Sequence, residues 1–360
     1  MTREEKVFSV VIPAYGDGEL WKTAIDSVLM QDYPSIELVF ADDGTPGFDK
    51  EAVQQYISKG KHDNLIRCSV IHQAQNLGTV RNLREAHGQC SGTYLTHMAM
   101  DDAYCDASVL SRYAKALEEK KEDVLGIYAK SLICDEELNP VGTVSFDVEK
   151  AEAMNSMTAI QQFGELTHYC CIHMGATAFV REEFMHHKDF DTDFRLIEDW
   201  PFFLKATRQG KRFQFYPFDA IFYRNGGVTD AAFDSPVKKI CCRDHIRLYE
   251  KLILPYLQLL PWREKLQVYG KYAKDRMDME RIFGALSGWS FVQKLQMGIK
   301  YFPAHLGVWI KRRKKLWILW LVGTVVILGS GSVLGALIYS VVLLLAHWLR
   351  EKGLRWRDAR

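Results

Sequence analysis

From Val7 to about Ala129, short apolar runs alternate with stretches of helical period, and few architectures accept that order. Val7–Ile12 is a compact run closed by Pro13, the profile of a strand buried on both faces. Leu20, Ile25, Val28 and Leu29 then recur at helical spacing, with the pattern ending near Tyr33-Pro34. A second run, Ile36–Ala41, is closed by Asp42-Asp43-Gly44. Helices are expected over 49–59, 79–89 and 107–120, and strands over 65–72, Thr93–Met98 and Val124–Ala129. This alternation predicts a doubly wound α/β sheet. Ligands of such sheets bind beyond the carboxyl ends of the strands, which points to Tyr15, Asp42-Asp43 and Asp101-Asp102. Residues 131–175 carry no clean period. After them come a strand near 176–180, a helix over 200–209, strands near 212–216 and 220–224, and a charged helical region from Ser235 to about Gly288.

The 360 residues, 48% hydrophobic and 25% charged, suffice for two structural units and exclude a disordered or low-complexity chain. The net charge of +1 hides an asymmetry. Residues 311–360 hold ten Lys/Arg and two Asp/Glu, a balance of +8, which leaves 36 against 43, or −7, for the body. An acidic body with a basic, apolar tail excludes a nucleic-acid binder and suggests a domain held at a membrane. Leu316 to Leu349 runs 34 residues without Lys, Arg, Asp or Glu, long for one upright helix and short for two. It reads either as one strongly tilted span or as a hairpin turning at Gly329-Ser-Gly-Ser332. Lys311-Arg-Arg-Lys-Lys315 before it and Arg350, Lys352, Arg355, Arg357 and Arg360 after it favour the hairpin, both ends staying on the cytosolic side. Residues 289–310, aromatics interleaved with lysines, either lie along the interface or pack on the body. The eight cysteines form no C-x-x-C and fit reduced thiols in a cytosolic domain. The first residues lead straight into a strand pattern, so no secretory signal is expected.

Read singly, the polar motifs each have a bland alternative. Asp101-Asp102 after the fourth strand fits a hard divalent cation that bridges carboxylates to phosphates, or else a solvated turn. Asp43 either accepts from a nucleobase N–H or shapes its own loop. Asp199, in Glu198-Asp199-Trp200-Pro201, is a candidate helix N-cap and a candidate general base. His168, Cys170, Cys171 and His173 match no zinc spacing and read as core or loop residues. Gly16-Asp-Gly18 lacks the third glycine of a dinucleotide fingerprint, and no P-loop is present.

Taken in order, Ser9-Val-Val-Ile-Pro-Ala-Tyr15, Ala24-Ile-Asp-Ser-Val-Leu-Met-Gln31 and Glu37-Leu-Val-Phe-Ala-Asp-Asp-Gly44 form a pattern. Asn76-Leu-Gly-Thr-Val-Arg-Asn82, Gly92-Thr-Tyr-Leu-Thr96 with Asp101-Asp102, Ile197-Glu-Asp-Trp200 and Tyr223-Arg224 continue it. Over about residues 7–230 it resembles the family 2 glycosyltransferases of the GT-A fold, a Rossmann-like mixed sheet flanked by helices. The chain is then expected to divide into a GT-A nucleotide-sugar and acceptor domain (1–230), a helical extension (231–310) and a basic-flanked membrane segment (311–360).

The resemblance implies an inverting transfer of a sugar from a nucleotide-diphosphate donor, UDP favoured, to a hydroxyl of a lipid-linked or polysaccharide acceptor, assisted by Mn²⁺ or Mg²⁺. By position, Pro13, Ala14 and Tyr15 would hold the nucleoside, Asp43 would accept from the base, and Arg81 would meet the base or diphosphate. Asp101 would contact the ribose or metal, Asp102 would coordinate the metal, and Asp199 would be the general base. The sequence departs from the family after Tyr223-Arg224, where Asn225-Gly-Gly227 stands in place of a histidine that many members carry. Its metal motif is Met-Asp-Asp rather than Asp-x-Asp. The implied place is the cell membrane with the catalytic domain on the cytoplasmic side, as a monomer or an oligomer. A polyprenyl-phosphate sugar synthase is one rival, though a phosphate acceptor needs no base. A catalytically silent binding protein on the same scaffold is another, with no need of Asp199.

Overall fold

The computed structural model describes residues 6–16, 18–60, 63–187, 190–224 and 235–282. The expected membrane segment at 311–360 and the 289–310 stretch lie outside them, as do Asn225–Gly227. Among the described residues no helix is long and apolar enough to cross a membrane. By compactness the chain divides into two units, and the described part of the second is the Tyr269–Lys274 stretch alone. The sheet and its flanking helices belong to the first.

The strands are β1 (Phe8–Ala14), β2 (Ile36–Asp42), β3 (Leu65–His72), β4 (Tyr94–His97), β5 (Ala103–Tyr104), β6 (Val124–Cys134), β7 (Pro140–Val144), β8 (Thr177–Val180) and β9 (Arg212–Arg224). They form one sheet in the order β3-β2-β1-β4-β8-β6-β9-β5, with β7 added to β6. β1 to β4 are parallel, whereas β8 runs antiparallel to both β4 and β6, so the sheet is mixed. Every residue of β2 is buried: Leu38–Ala41 are apolar, and the Glu37 carboxylate is satisfied by Ser9 Oγ at 2.6 Å and Ser91 N at 2.7 Å. α1 (Leu20–Leu29) and α2 (Lys50–Lys59) carry the chain outward across the sheet and α3 (Thr79–His87) carries it back. Right-handed crossovers therefore put α1 and α2 on one face and α3 on the other. Phe40 of β2 packs with Trp21 and Val53 in the core of the first face. α4 (Val109–Glu119) precedes β6, and α8 (Asp199–Arg208) precedes β9. α9 (Pro236–Leu248) starts at a Ser235 side-chain cap with Pro236 in its first turn, and α10 (Trp262–Ile282) ends the described chain.

Three local outcomes differ from the sequence pattern. β1 runs past Ile12 through Pro13 to Ala14. The proline is tolerated because its neighbour β4 ends at His97, opposite Val11, so the missing N–H costs no ladder bond. β9 is one 13-residue strand rather than two, and Pro217 falls where its register against β6 slips between Tyr128 and Lys130. The aperiodic 131–175 stretch holds the end of β6, then β7, α5 (Val148–Met154) and α6 (Ala159–Leu166), elements too short to print a period. α7 (Arg181–His186) follows β8.

Under α3 two imidazoles meet in an aromatic enclosure. The Nε2 atoms of His87 and His97 are 2.7 Å apart, with Phe184 and Phe190 against both rings. His97 is buried and its Nδ1 has no partner among the described residues. Burial, and then the neighbouring His87, push its pKa well below the usual histidine value of 6.5. His97 is thus neutral when folded and protonates on unfolding in acid. The unfolded chain binds the extra proton, so this stability is whole above about pH 6.5 and is lost as the pH falls below it. Between about pH 7.5 and 5.5 the expected loss from His97 is on the order of 1 kcal/mol, read from urea midpoints. A midpoint that does not fall over that range would contradict a neutral His97.

Candidate active site

At the carboxyl end of β2 the two aspartates turn to opposite faces of the sheet. Asp42 Oδ2 accepts the N–H of Gly44 at 3.0 Å and of Thr45 at 2.9 Å, and lies 2.7 Å from His72 Nδ1. Asp43 is buried, and its carboxylate is bidentate on α3's approach: Oδ1 accepts from Leu77 N at 2.7 Å and Oδ2 from Gly78 N at 2.8 Å. Burial pushes its pKa up, against the pull of those two amides. Each oxygen keeps a second lone pair, so loop-shaping and base contact, the two sequence readings of Asp43, are compatible. The β1 and β2 ends are tied by Asp43 N to Ala14 O at 2.8 Å and Gly16 N to Thr45 Oγ1 at 2.9 Å. Tyr15, next to Pro13 and Ala14, is 53% exposed, and Arg81 is exposed in the first turn of α3. A cavity of about 180 Å³ opens at the end of β1, between Ala14, Trp21, Phe40, Asp42, Phe48 and Met100.

Gly78 holds this loop in a shape open only to glycine, at φ +88° and ψ 157°. A Cβ there would stand 2.4 Å from Arg195 Cγ and 2.7 Å from Arg195 O. Gly78→Ala is expected to cost about 1–3 kcal/mol in urea unfolding and to weaken nucleotide binding with it. A variant as stable as the parent would mean that the loop has another conformation to offer.

Asp101 and Asp102 lie in the turn after β4, opposite the end of β9. Asp102 is 2% exposed, and its Oδ1 accepts the Arg224 backbone N–H at 3.0 Å. The Arg224 Nε donates to Asp101 O at 2.9 Å. Burial and the Asp101 charge hold the Asp102 pKa well above the carboxylate range, and burial raises Asp101 too. Two carboxylates short of positive charge are a fit for a divalent cation that takes its other ligands from phosphate and water. Among the described residues no group of three or more His, Cys, Asp and Glu could hold a metal by itself.

Asp199 stands at the start of α8, one residue further in than a cap. Glu198 takes the N-cap position without a side-chain cap bond, which corrects the capping expectation. Asp199 Oδ1 accepts from Trp200 N at 2.6 Å, and the Cys170 thiol donates to Oδ2 at 3.8 Å. Burial raises the Asp199 pKa, and burial plus the Asp199 charge push Glu198 up to about 8. Cys170 leads into His173, whose Nδ1 is 2.7 Å from Ser131 Oγ and whose ring meets Tyr223 edge-on at 4.9 Å. Burial lowers the His173 pKa to about 4. The 170–173 segment therefore joins Asp199 to the end of β9, where Arg224 holds Asp101 and Asp102. Sequence reasoning assigned no part to Glu198, His173 or Arg224. For Arg224 a signal existed, the Tyr-Arg pair closing the last strand.

Residues 9–182 match the family model described as Glycosyl transferase family 2. The matched stretch, residues 9–182, is a domain of that family. It is similar to the uncharacterized glycosyltransferase EpsJ of Bacillus subtilis (strain 168), 28% identical over 229 residues that make up 60% of each chain. It is also similar to glycosyltransferase GlyG of Streptococcus pneumoniae serotype 4, 26% identical over 123 residues, 34% of this chain and 39% of that one. These matches span less than two thirds of the relatives' lengths. Among solved structures, the mannosyltransferase PcManGT from Pyrobaculum calidifontis, in complex with GDP-Man and Mn²⁺, superposes with a TM-score of 0.53 at 15% identity. The match covers 87% of this chain and 89% of that one, and shows a shared fold.

Proposed function

We propose that this chain transfers a sugar from a nucleoside-diphosphate donor, UDP-linked by preference, to a hydroxyl of a lipid-linked or polysaccharide glycan, with inversion at the sugar carbon. The observation that carries the reading is the pair of carboxylate centres on one connected framework. Asp101 and Asp102 are held by Arg224, while Asp199 is held at the start of α8 and linked to β9 through Cys170 and His173. The exposed Tyr15 ring offers a face for a flat base, and the exposed Arg81 offers a guanidinium for the base or diphosphate. Asp199 takes the proton of the acceptor hydroxyl as its oxygen attacks the sugar carbon. Asp102, with Asp101, would hold a divalent cation, which would supply positive charge against the negative charge developing on the leaving diphosphate. Glu198, pushed up to about 8, keeps a proton near neutral pH, which leaves the pair's single negative charge to Asp199. The uncharged, basic-flanked 316–349 run would hold the enzyme against the cytosolic face of a membrane, beside a lipid-linked acceptor.

The test is a thermal-shift series on the full-length chain with UDP, GDP, CDP and dTDP, each with and without Mn²⁺. A nucleotide that binds only the folded state adds about 2.7 kcal/mol at a hundredfold excess over its Kd. UDP is expected to stabilise the chain only with Mn²⁺. A folded chain that no nucleotide stabilises would turn the reading to the silent scaffold.

A further inference from the structure

The helical region after the sheet reaches into this site through one carboxylate. Asp244 of α9 is 2% exposed, and its Oδ2 accepts the backbone N–H of both Arg195 and Leu196, each at 2.8 Å. The stretch it holds is fastened in turn to the donor side. The Arg195 carbonyl accepts the N–H of Val80, in the first turn of α3, at 3.1 Å. The Arg195 Nη2 donates to Asn76 O at 3.1 Å and to Asn76 Oδ1 at 2.7 Å. Between these contacts lie Leu77 and Gly78, whose amides hold both oxygens of Asp43. On the other side, the chain leaves Leu196 through Ile197 and Glu198 to Asp199. One buried oxygen thus sits where the donor loop and the start of α8 are joined. Neither Arg195 nor Leu196 can recover a partner of equal strength when it is removed, because a carboxylate is a stronger acceptor than a neutral group.

We propose that Asp244 is a positioning residue for both halves of the transfer. It fixes the 195–196 backbone, and through that backbone it sets the Asn76–Val80 loop that carries Asp43 and the start of α8 that carries Asp199. It touches neither substrate nor reacting atoms. The kinetic part of the inference rests on the function proposed above, whereas the structural part does not.

The test compares full-length Asp244→Ala, Asp244→Asn and Arg195→Ala by amide hydrogen exchange and by steady-state kinetics with the donor that the nucleotide series selects. Asp244→Ala is expected to speed exchange at 195–196 and at 77–80 by about tenfold or more, with α5 unchanged. Its kcat falls by about tenfold or more and its donor KM rises several-fold. In Asp244→Asn the amide oxygen still accepts both N–H groups, so exchange and kinetics stay within about threefold of the parent. Arg195→Ala keeps the Asp244 contacts and removes the clamp on Asn76 together with the positive charge near Asp43. Exchange then rises at 76–78, and donor KM rises while kcat at saturation holds within about threefold. Unchanged exchange at 77–80 in folded Asp244→Ala would overturn the proposal, as would Asp244→Asn failing as fully as Asp244→Ala. Should Asp244→Ala not fold, an equal fall of kcat and rise of KM in Arg195→Ala would overturn the division into two branches. A parent chain that transfers no sugar would defeat the function, and the exchange data would still decide the coupling.

Discussion

Asp199→Asn is expected to lower kcat by about 10²–10⁴-fold while the donor Kd stays within about twofold. The substitution keeps an oxygen for the Trp200 N–H, at 2.6 Å from Oδ1 in the parent, so the start of α8 need not move. What it removes is the capacity to take a proton. The two carboxyls at 198 and 199 titrate as a pair, both raised by burial, with Glu198 pushed up to about 8 by burial and by Asp199. A general base works ionised, so kcat rises with pH through the pair's raised range and is lost as the pH falls. Glu198 keeps its proton where Asp199 ionises, so Glu198→Gln is expected to leave the acid limb of the kcat profile in place. Unchanged turnover in Asp199→Asn would place the base on another group.

The second large effect is expected at Asp102. Asp102→Asn keeps an acceptor for the Arg224 N–H but loses the charge that a divalent cation needs. With Mn²⁺ and nucleotide at about a hundredfold over the parent Kd, the parent gains about 2.7 kcal/mol; a hundredfold weaker site would gain about 0.4. The metal-free chain should respond the opposite way. In the fold Asp102 has its pKa raised by burial and by Asp101, so the folded state binds more protons than the unfolded one. Its cost is absent near pH 3.8 and grows as the pH rises, which Asp102→Asn removes. With EDTA at neutral pH, Asp102→Asn is therefore expected to melt above the parent, a site that trades stability for binding. An undiminished Mn²⁺-dependent shift in Asp102→Asn would remove Asp102 from the proposed metal site.

How far the sequence carries can be read residue by residue. β2 is seven consecutive buried residues and was legible because burial on both faces leaves apolar residues on successive positions, Leu38 to Ala41. The carboxyl ends of β1, β2 and β4 followed from the same strands, and with them Tyr15, Asp43, Asp101 and Asp102. Pro217 was misleading, because proline normally ends a strand and nothing local announces the register slip that absorbs it. The bonds of Asp43 to Leu77 and Gly78 are set by the tertiary approach of the loop before α3, which no window around Asp43 contains. The raised pKa of Glu198 depends on burial, which adjacent carboxylates in a sequence do not reveal. Asp244 is the extreme case: a polar residue in a charged helix looks solvated until the backbone of 195–196 is brought against it.

The central claim is a single displacement at the sugar carbon with Asp199 as base, and the anomeric outcome tests it most directly. Full-length chain, incubated with the nucleotide sugar that the binding series selects and with water as the surrogate acceptor, releases sugar whose first-formed anomer can be read by proton NMR before mutarotation. The account predicts an anomer opposite to the donor's, formed by the parent and lost in Asp199→Asn. Release of the donor's own anomer would contradict it.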